Sequence, residues 1–115
     1  MSTAAECLFC RIVAGEIPAD LVAENAHAVA FRDINPQAPL HVLVVPREHH
    51  ADVAQLAAAD PALLAAVVGL ADQVAGTEAD GQFRMVFNTG PEAGQSVFHV
   101  HAHVLGGAPL GWTPA

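Results

Sequence analysis

Apolar and polar residues recur along this chain with two different periods, and the switches between them mark out the elements. Near the start, Leu8 and Ile12, with Phe9 beside them, form a helical stripe, and Gly15 is positioned to stop it. After Ile17-Pro18 the pattern predicts two short strands, Leu21 to Glu24 and Ala28 to Arg32. Asp33-Ile34-Asn35-Pro36-Gln37-Ala38-Pro39, with two prolines and Asn before Pro, is a loop. His41 to Pro46 is a strand rich in β-branched residues and ended by proline. Arg47-Glu48-His49-His50 leaves the sheet, and a short helix is expected over Asp52 to Ala58. Asp60-Pro61 then supplies an N-cap and a first-turn proline. Leu63, Leu64, Val67, Val68, Ala71 and Val74 follow at helical spacing, a long apolar face for the sheet, until Asp80-Gly81. Arg84 to Asn88 reads as a strand, Gly90 to Ser96 as a loop, and His99 to Leu105 as the last strand, stopped by Gly106 and Gly107. This β-β-β-α-β-β order, with short connections between strands, predicts an α+β fold: an antiparallel five-stranded sheet with two main helices on one face.

The last strand carries the unusual chemistry. His99-Val100-His101-Ala102-His103-Val104-Leu105 alternates strictly, so its three imidazoles project from one face while Val100, Ala102 and Val104 project from the other. One histidine on a strand is an ordinary satisfied polar group. Three on one buried face would each need hydrogen-bond partners for both ring nitrogens, which packing alone does not supply.

Composition narrows what that face can do. At 115 residues the chain is one domain, residues 1–115, long enough for a single core. No apolar run approaches ~20 residues and no basic leader precedes an apolar stretch, so a soluble, cytoplasmic protein without a membrane partner is expected. The net charge of −8 argues against a nucleic-acid surface. There is no lysine, and Arg11, Arg32, Arg47 and Arg84 are scattered. Any phosphate must be held by neutral donors, histidine or backbone N–H groups. The loop Asn88-Thr89-Gly90-Pro91-Glu92-Ala93-Gly94-Gln95-Ser96 leads into the histidines, and its glycines allow close backbone approach to an anion. Read alone, that loop is a plain surface turn; its position beside three imidazoles reverses that reading.

Cys7-Leu8-Phe9-Cys10 has three readings. A redox pair needs a thioredoxin-like βαβ setting, which the pattern lacks. Two inert buried thiols need nothing further. Half of a zinc site needs two more ligands, and the chain has surplus histidines. The tail from Gly107 to Ala115 holds the only tryptophan, Trp112, which is expected to pack on something, a partner subunit being one candidate.

The run His99-Val100-His101-Ala102-His103-Val104-Leu105 resembles the signature of the histidine triad (HIT) superfamily. Phe9-Cys10-Arg11-Ile12, Gly15-Glu16-Ile17-Pro18, the segment from Phe31 to Pro39 and Gly94-Gln95-Ser96-Val97-Phe98 resemble its Hint branch, the histidine triad nucleotide-binding proteins, over nearly the whole chain. The resemblance implies a HIT-like sheet extended across a homodimer and a purine nucleotide substrate. It implies a hydrolase or transferase that cleaves nucleoside 5′-phosphoramidates or acyl-adenylates through a nucleotidyl-histidine and releases AMP. His101 would be the nucleophile, oriented by the His99 carbonyl. His103 would hydrogen-bond the phosphoryl oxygens, His41 would be a fourth histidine of the site, and Ser96 would donate to the leaving atom. Asn88 and the backbone of Gly94 and Gln95 would cradle the phosphate. Asp33 would accept both ribose hydroxyls, and Phe9, Ile12, Phe31 and Ile34 would form the purine slot.

The cysteine pair departs from many Hint proteins and is similar to triad members that hold zinc with two cysteines and two histidines. By position the ligands of a structural Zn²⁺ would be Cys7, Cys10, His49 and His99, with His50 a rival and His27 a surface residue. Alternative functions are dinucleoside polyphosphate hydrolysis, as in the Fhit-like branch, and a non-catalytic nucleotide-binding adapter. A zinc-only role for the triad is uneconomical, because Cys7, Cys10, His49 and His99 already fill a tetrahedron.

Overall fold

A computed structural model describes residues 6–112. The tail beyond Trp112 lies outside the described residues. The chain forms α1 (Leu8–Val13), β1 (Leu21–Glu24), β2 (Ala28–Arg32), β3 (Leu40–Pro46), α2 (Val53–Ala59), α3 (Pro61–Glu78), β4 (Phe83–Val86), a 3-10 turn (Pro91–Ala93) and β5 (Ala102–Gly106). The strands make one antiparallel sheet in the order β1-β2-β3-β5-β4. The predicted α+β class with five antiparallel strands is what forms.

The central strand β3 is buried along all seven residues because both of its faces are covered. Leu40, Val42 and Val44 join Ala28, Ala30, Ala102 and Val104 against Val67, Leu70, Ala71, Val74 and Ala75 of α3. Leu43 and Val45 face the other way, with Val29, Phe31, Cys7 and Phe9. The helices therefore do not share one face: α3 covers one side of the sheet, and α1 covers part of the other. The stripe on α1 is also rotated from expectation, since Phe9 is buried and Leu8 exposed.

Local rules account for most boundaries. Asp52 and Asp60 cap α2 and α3, their side chains accepting from the N–H groups of Gln55 and Leu63, and Pro61 opens α3. The buried stripe of α3 is Leu63, Val67, Leu70, Ala71, Val74 and Ala75, a regular i, i+4, i+7, i+8 series. Leu64 and Val68 sit one residue off it, and Val68 is exposed. At Gly106 a Cβ would meet the Gln82 carbonyl oxygen at 2.6 Å, so only glycine lets β5 pass the α3–β4 turn.

The histidine strand starts later than its alternation predicts, at Ala102 rather than His99. The reason lies opposite it. β3 pairs Val44 with Ala102, which would bring Pro46 opposite Val100, and proline has no N–H to give. The Pro46 carbonyl accepts instead from the His99 ring, and the Val100 N–H turns to the His50 carbonyl at 2.7 Å.

Candidate active site

β5 and the segment before it still carry the three imidazoles to one side. His99 and His101 both pack edge-on against Phe9, and the His101 and His103 ring centroids are 5.2 Å apart. A cleft of about 720 Å³ opens over His101 and His103. It is also lined by Asp33, Asn88, Gly94 and Ser96, and on its apolar side by Phe9, Ile12, Phe31 and Ile34. Every expected nucleotide-contacting residue except Gln95 thus borders one cavity.

Hydrogen-bond partners fix the protonation of each ring. His101 donates from Nδ1 to the His99 carbonyl at 2.9 Å, which leaves the Nε2 lone pair as the unclaimed nitrogen. His41 accepts at Nδ1 from the Gln37 N–H at 3.0 Å, so its own proton is on Nε2. That nitrogen lies 3.0 Å from His103 Nδ1 and donates to it. His103 consequently carries its proton on Nε2. Burial, above all, lowers the pKa values of His101 and His103; the Asp33 carboxylate opposes the shift in both cases. Asp33 itself accepts from the Asn35 N–H at Oδ1, 2.8 Å away, and its Oδ2 is 3.4 Å from His41 Nε2.

The glycine loop is less open than its sequence suggests. The Gly94 and Gln95 N–H groups, expected to cradle a phosphate, donate to the Pro91 and Gly90 carbonyls inside the 3-10 turn. The buried Gln95 side chain takes the Gly90 N–H and donates to the Ala51 and Val97 carbonyls, tying the loop to the segment before α2. Its part is to hold Gly94 and Ser96 at the cleft. Phe9 and Phe31 are buried in the slot, Ile12 is half-buried, and Ile34 stands fully exposed at the mouth. Sequence reasoning missed the Gln37 amide and the Pro46 carbonyl, because main-chain groups leave no side-chain signature. It also missed Pro18, Ala19 and Asp20, which line the cleft from the connection before β1.

Two positions before His101 in the sequence, His99 joins Cys7, Cys10 and His49, and the four bring their ligand atoms within 4.8 Å of one another. His99 Nδ1 is 3.4 Å from Cys7 Sγ and 3.3 Å from Cys10 Sγ, and His49 Nδ1 is 3.3 Å from Cys10 Sγ. His99 donates from Nε2 to the Pro46 carbonyl at 2.8 Å, so its Nδ1 lone pair is the one aimed at the sulfurs. Burial, chiefly, pushes its pKa down to about 4, keeping it neutral. Burial and the neighbouring Cys7 push the Cys10 thiol up to about 11, a proton that a metal would have to displace. A two-sulfur, two-nitrogen set at these separations fits one tetrahedral Zn²⁺ with bonds of about 2.0–2.3 Å. His50 turns away to Glu48, 3.1 Å distant, and His27 is exposed. Asp33, His41 and His103 also cluster closely. There the Gln37 N–H forces the His41 proton onto the nitrogen a metal would need.

A family model described as the HIT domain matches residues 14–110. The chain belongs to the HIT family. It is 46% identical over 115 residues to a HIT-like protein of Synechocystis, covering 96% of this chain and 98% of that one. It is 39% identical over 110 residues to a purine nucleoside phosphoramidase of Escherichia coli, covering 94% and 92%. Among solved structures, a HIT family hydrolase from Legionella pneumophila superposes with a TM-score of 0.89 at 43% identity, over 95% of this chain and 99% of that one. This HIT chain therefore shares its whole fold, and not the triad alone, with its relatives. Among its described residues no helix is long and apolar enough to cross a membrane.

Proposed function

We propose that the protein hydrolyses purine nucleoside 5′-phosphoramidates or acyl-adenylates, releasing AMP or its purine counterpart through a nucleotidyl-histidine. The observation that carries this reading is the His101 ring. Its Nδ1–H is anchored on the His99 carbonyl, and its other nitrogen is left with a lone pair in a cleft shared with Asp33 and His103. In the first step a bond forms from His101 Nε2 to the α-phosphorus as the bond to the leaving nitrogen of a phosphoramidate, or to the carboxylate oxygen of an acyl-adenylate, breaks. A leaving amine takes the Ser96 hydroxyl proton, which solvent restores to the exposed Ser96, whereas an acyl group leaves as the unprotonated carboxylate. His103, donating from Nε2, hydrogen-bonds the phosphoryl oxygen as charge develops there. Water then attacks the phosphorus, the bond to His101 Nε2 breaks and a water proton passes to solvent, restoring His101 and releasing the nucleoside monophosphate.

The purine fits between the apolar walls from α1 and from β2 with the loop after it, and the ribose hydroxyls donate to Asp33. The E. coli relative's name, purine nucleoside phosphoramidase, supports a P–N substrate. Zn²⁺ at Cys7, Cys10, His49 and His99 is a structural ion in this reading, tying α1 to the segment that carries His101. The reduced thiols it needs agree with a cytoplasmic protein. The exposed Trp112 and the edge strand β4 agree with a homodimer.

Purified protein should turn over a fluorogenic adenosine 5′-phosphoramidate and form AMP in equal amount to the amine released. Binding without turnover would leave the adapter reading, and faster cleavage of a dinucleoside polyphosphate would favour the Fhit-like one.

A further inference from the structure

Among the described residues, none places an unpaired lysine or arginine at the phosphate end of the cleft. The chain has no lysine. Arg11 pairs with Glu16 and Arg47 with Glu24, while Arg84 donates to the Gly111 carbonyl. Arg32, the one arginine that borders the cleft, is forked onto Glu78 and lies near Asp20. Positive charge would have to come from an imidazolium, and the hydrogen bonds oppose one. A second proton on His41 would sit on Nδ1 and point at the Gln37 N–H. A second proton on His103 would sit on Nδ1 and point at the His41 Nε2–H. One main-chain amide therefore sets the tautomer of two rings in series and leaves no acceptor for a second proton on either, against the pull of the Asp33 carboxylate 3.4 Å from His41 Nε2, with His103 Nε2–H as the outward donor. The only formal charge of this cluster is negative, on Asp33.

We propose that the Gln37–His41–His103 chain makes the phosphate subsite a neutral cage, suited to a singly charged phosphoryl group and unsuited to a doubly charged one. This rests on the nucleotide reading above and deepens it. A phosphoramidate or acyl-adenylate carries one charge at the α-phosphorus. The monophosphate product carries two near pH 7.5, because its second ionisation lies near about pH 6. A second charge brought into a site without a cationic partner pays desolvation and gains no ion pair. The site would thus hold its substrate and discharge its product by charge alone, with Gln37 and His41 as positioning residues.

The test compares two ligands of the same shape, AMP and adenosine 5′-sulfate, which at about pH 7.5 differ by one charge. Calorimetric titration of the metal-loaded protein should show the sulfate binding tighter by about tenfold, the order expected for one uncompensated charge at a part-buried site. Nitrogen-15 spectra of the histidines should show His41 and His103 both neutral with the proton on Nε2, and unchanged when the sulfate binds. AMP binding as tightly as the sulfate, or a His103 imidazolium in either complex, overturns the inference while leaving the nucleotide reading intact. Neither ligand binding, with adenosine also silent, removes the nucleotide reading and the inference together.

Discussion

At the scale of the residue, the division of labour among the histidines follows from which nitrogen each has already committed. His101→Ala is expected to abolish turnover and leave AMP affinity nearly unchanged, because the proposed ribose and purine contacts are Asp33 and the apolar walls. Steady-state rates and titrations on the same preparation check this; a rate above about a hundredth of wild type would remove His101 as nucleophile. The pH dependence carries a definite sign. Burial lowers the pKa values of His101 and His103, so the neutral rings the reaction needs persist below the ordinary histidine value. The acid limb of kcat/KM should therefore have its midpoint below about pH 6.5, with a flat region above it. A midpoint above that value would mean that the charged form is the stabilised one. Asp33 makes a third prediction. AMP should bind more tightly than 2′-deoxy-AMP by about 1.5–3 kcal/mol, the worth of one hydrogen bond to a charged acceptor. Equal affinities would reduce Asp33 to its bond with the Asn35 N–H.

At the scale of the element, legibility followed whether the rule involved was local. β1 and β2 begin and end where the alternation places them, and α3 begins at its Asp60-Pro61 signal, because strand period and capping act within a few residues. The alternation starts β5 too early because a strand also needs a partner, and Pro46 on the opposite strand withholds one at Val100. The buried stripe of α3 departs from the expected one because Val68 is exposed and Leu64 packs with Leu56, Leu63 and Val100 rather than against the main sheet core. The site divided along the same line. The triad, Asp33 and the cysteine pair stand out as side chains in sequence. The Gln37 amide, the Pro46 carbonyl and the internal bonding of the glycine loop are main-chain facts that appear only once the chain is folded. Leu70, buried completely between α3 and the sheet, gives the element-scale test. Leu70→Ala should cost about 2–5 kcal/mol in urea unfolding, whereas Val68→Ala on the same helix should cost well under about 1 kcal/mol. Equal losses at the two positions would contradict the observed orientation of α3.

At the scale of the whole molecule, segments far apart in the sequence meet beside the candidate active site. Cys7 and Cys10 open α1, His49 follows the central strand, and His99 precedes β5, so a metal held by these four would join three segments that local rules do not connect. His99 lies at the junction of two networks: its ring faces the sulfurs, and its carbonyl holds the Nδ1–H of His101. Loss of the metal should therefore act first on stability and then on the nucleophile's orientation, with little effect on the ribose end of the cleft. The expectation is one zinc per chain by elemental analysis. The double variant Cys7→Ser, Cys10→Ser should melt at a lower temperature, with a lower kcat and a KM close to that of wild type. Chelation of the wild type should move its melting temperature towards that of the variant, and added zinc should restore it. If the purified protein carries no metal and its melting temperature ignores both chelator and zinc, the two cysteines belong to the apolar cluster around Phe9, Phe31 and Val45. In that case packing of α1, rather than a metal, holds the His99 segment in place.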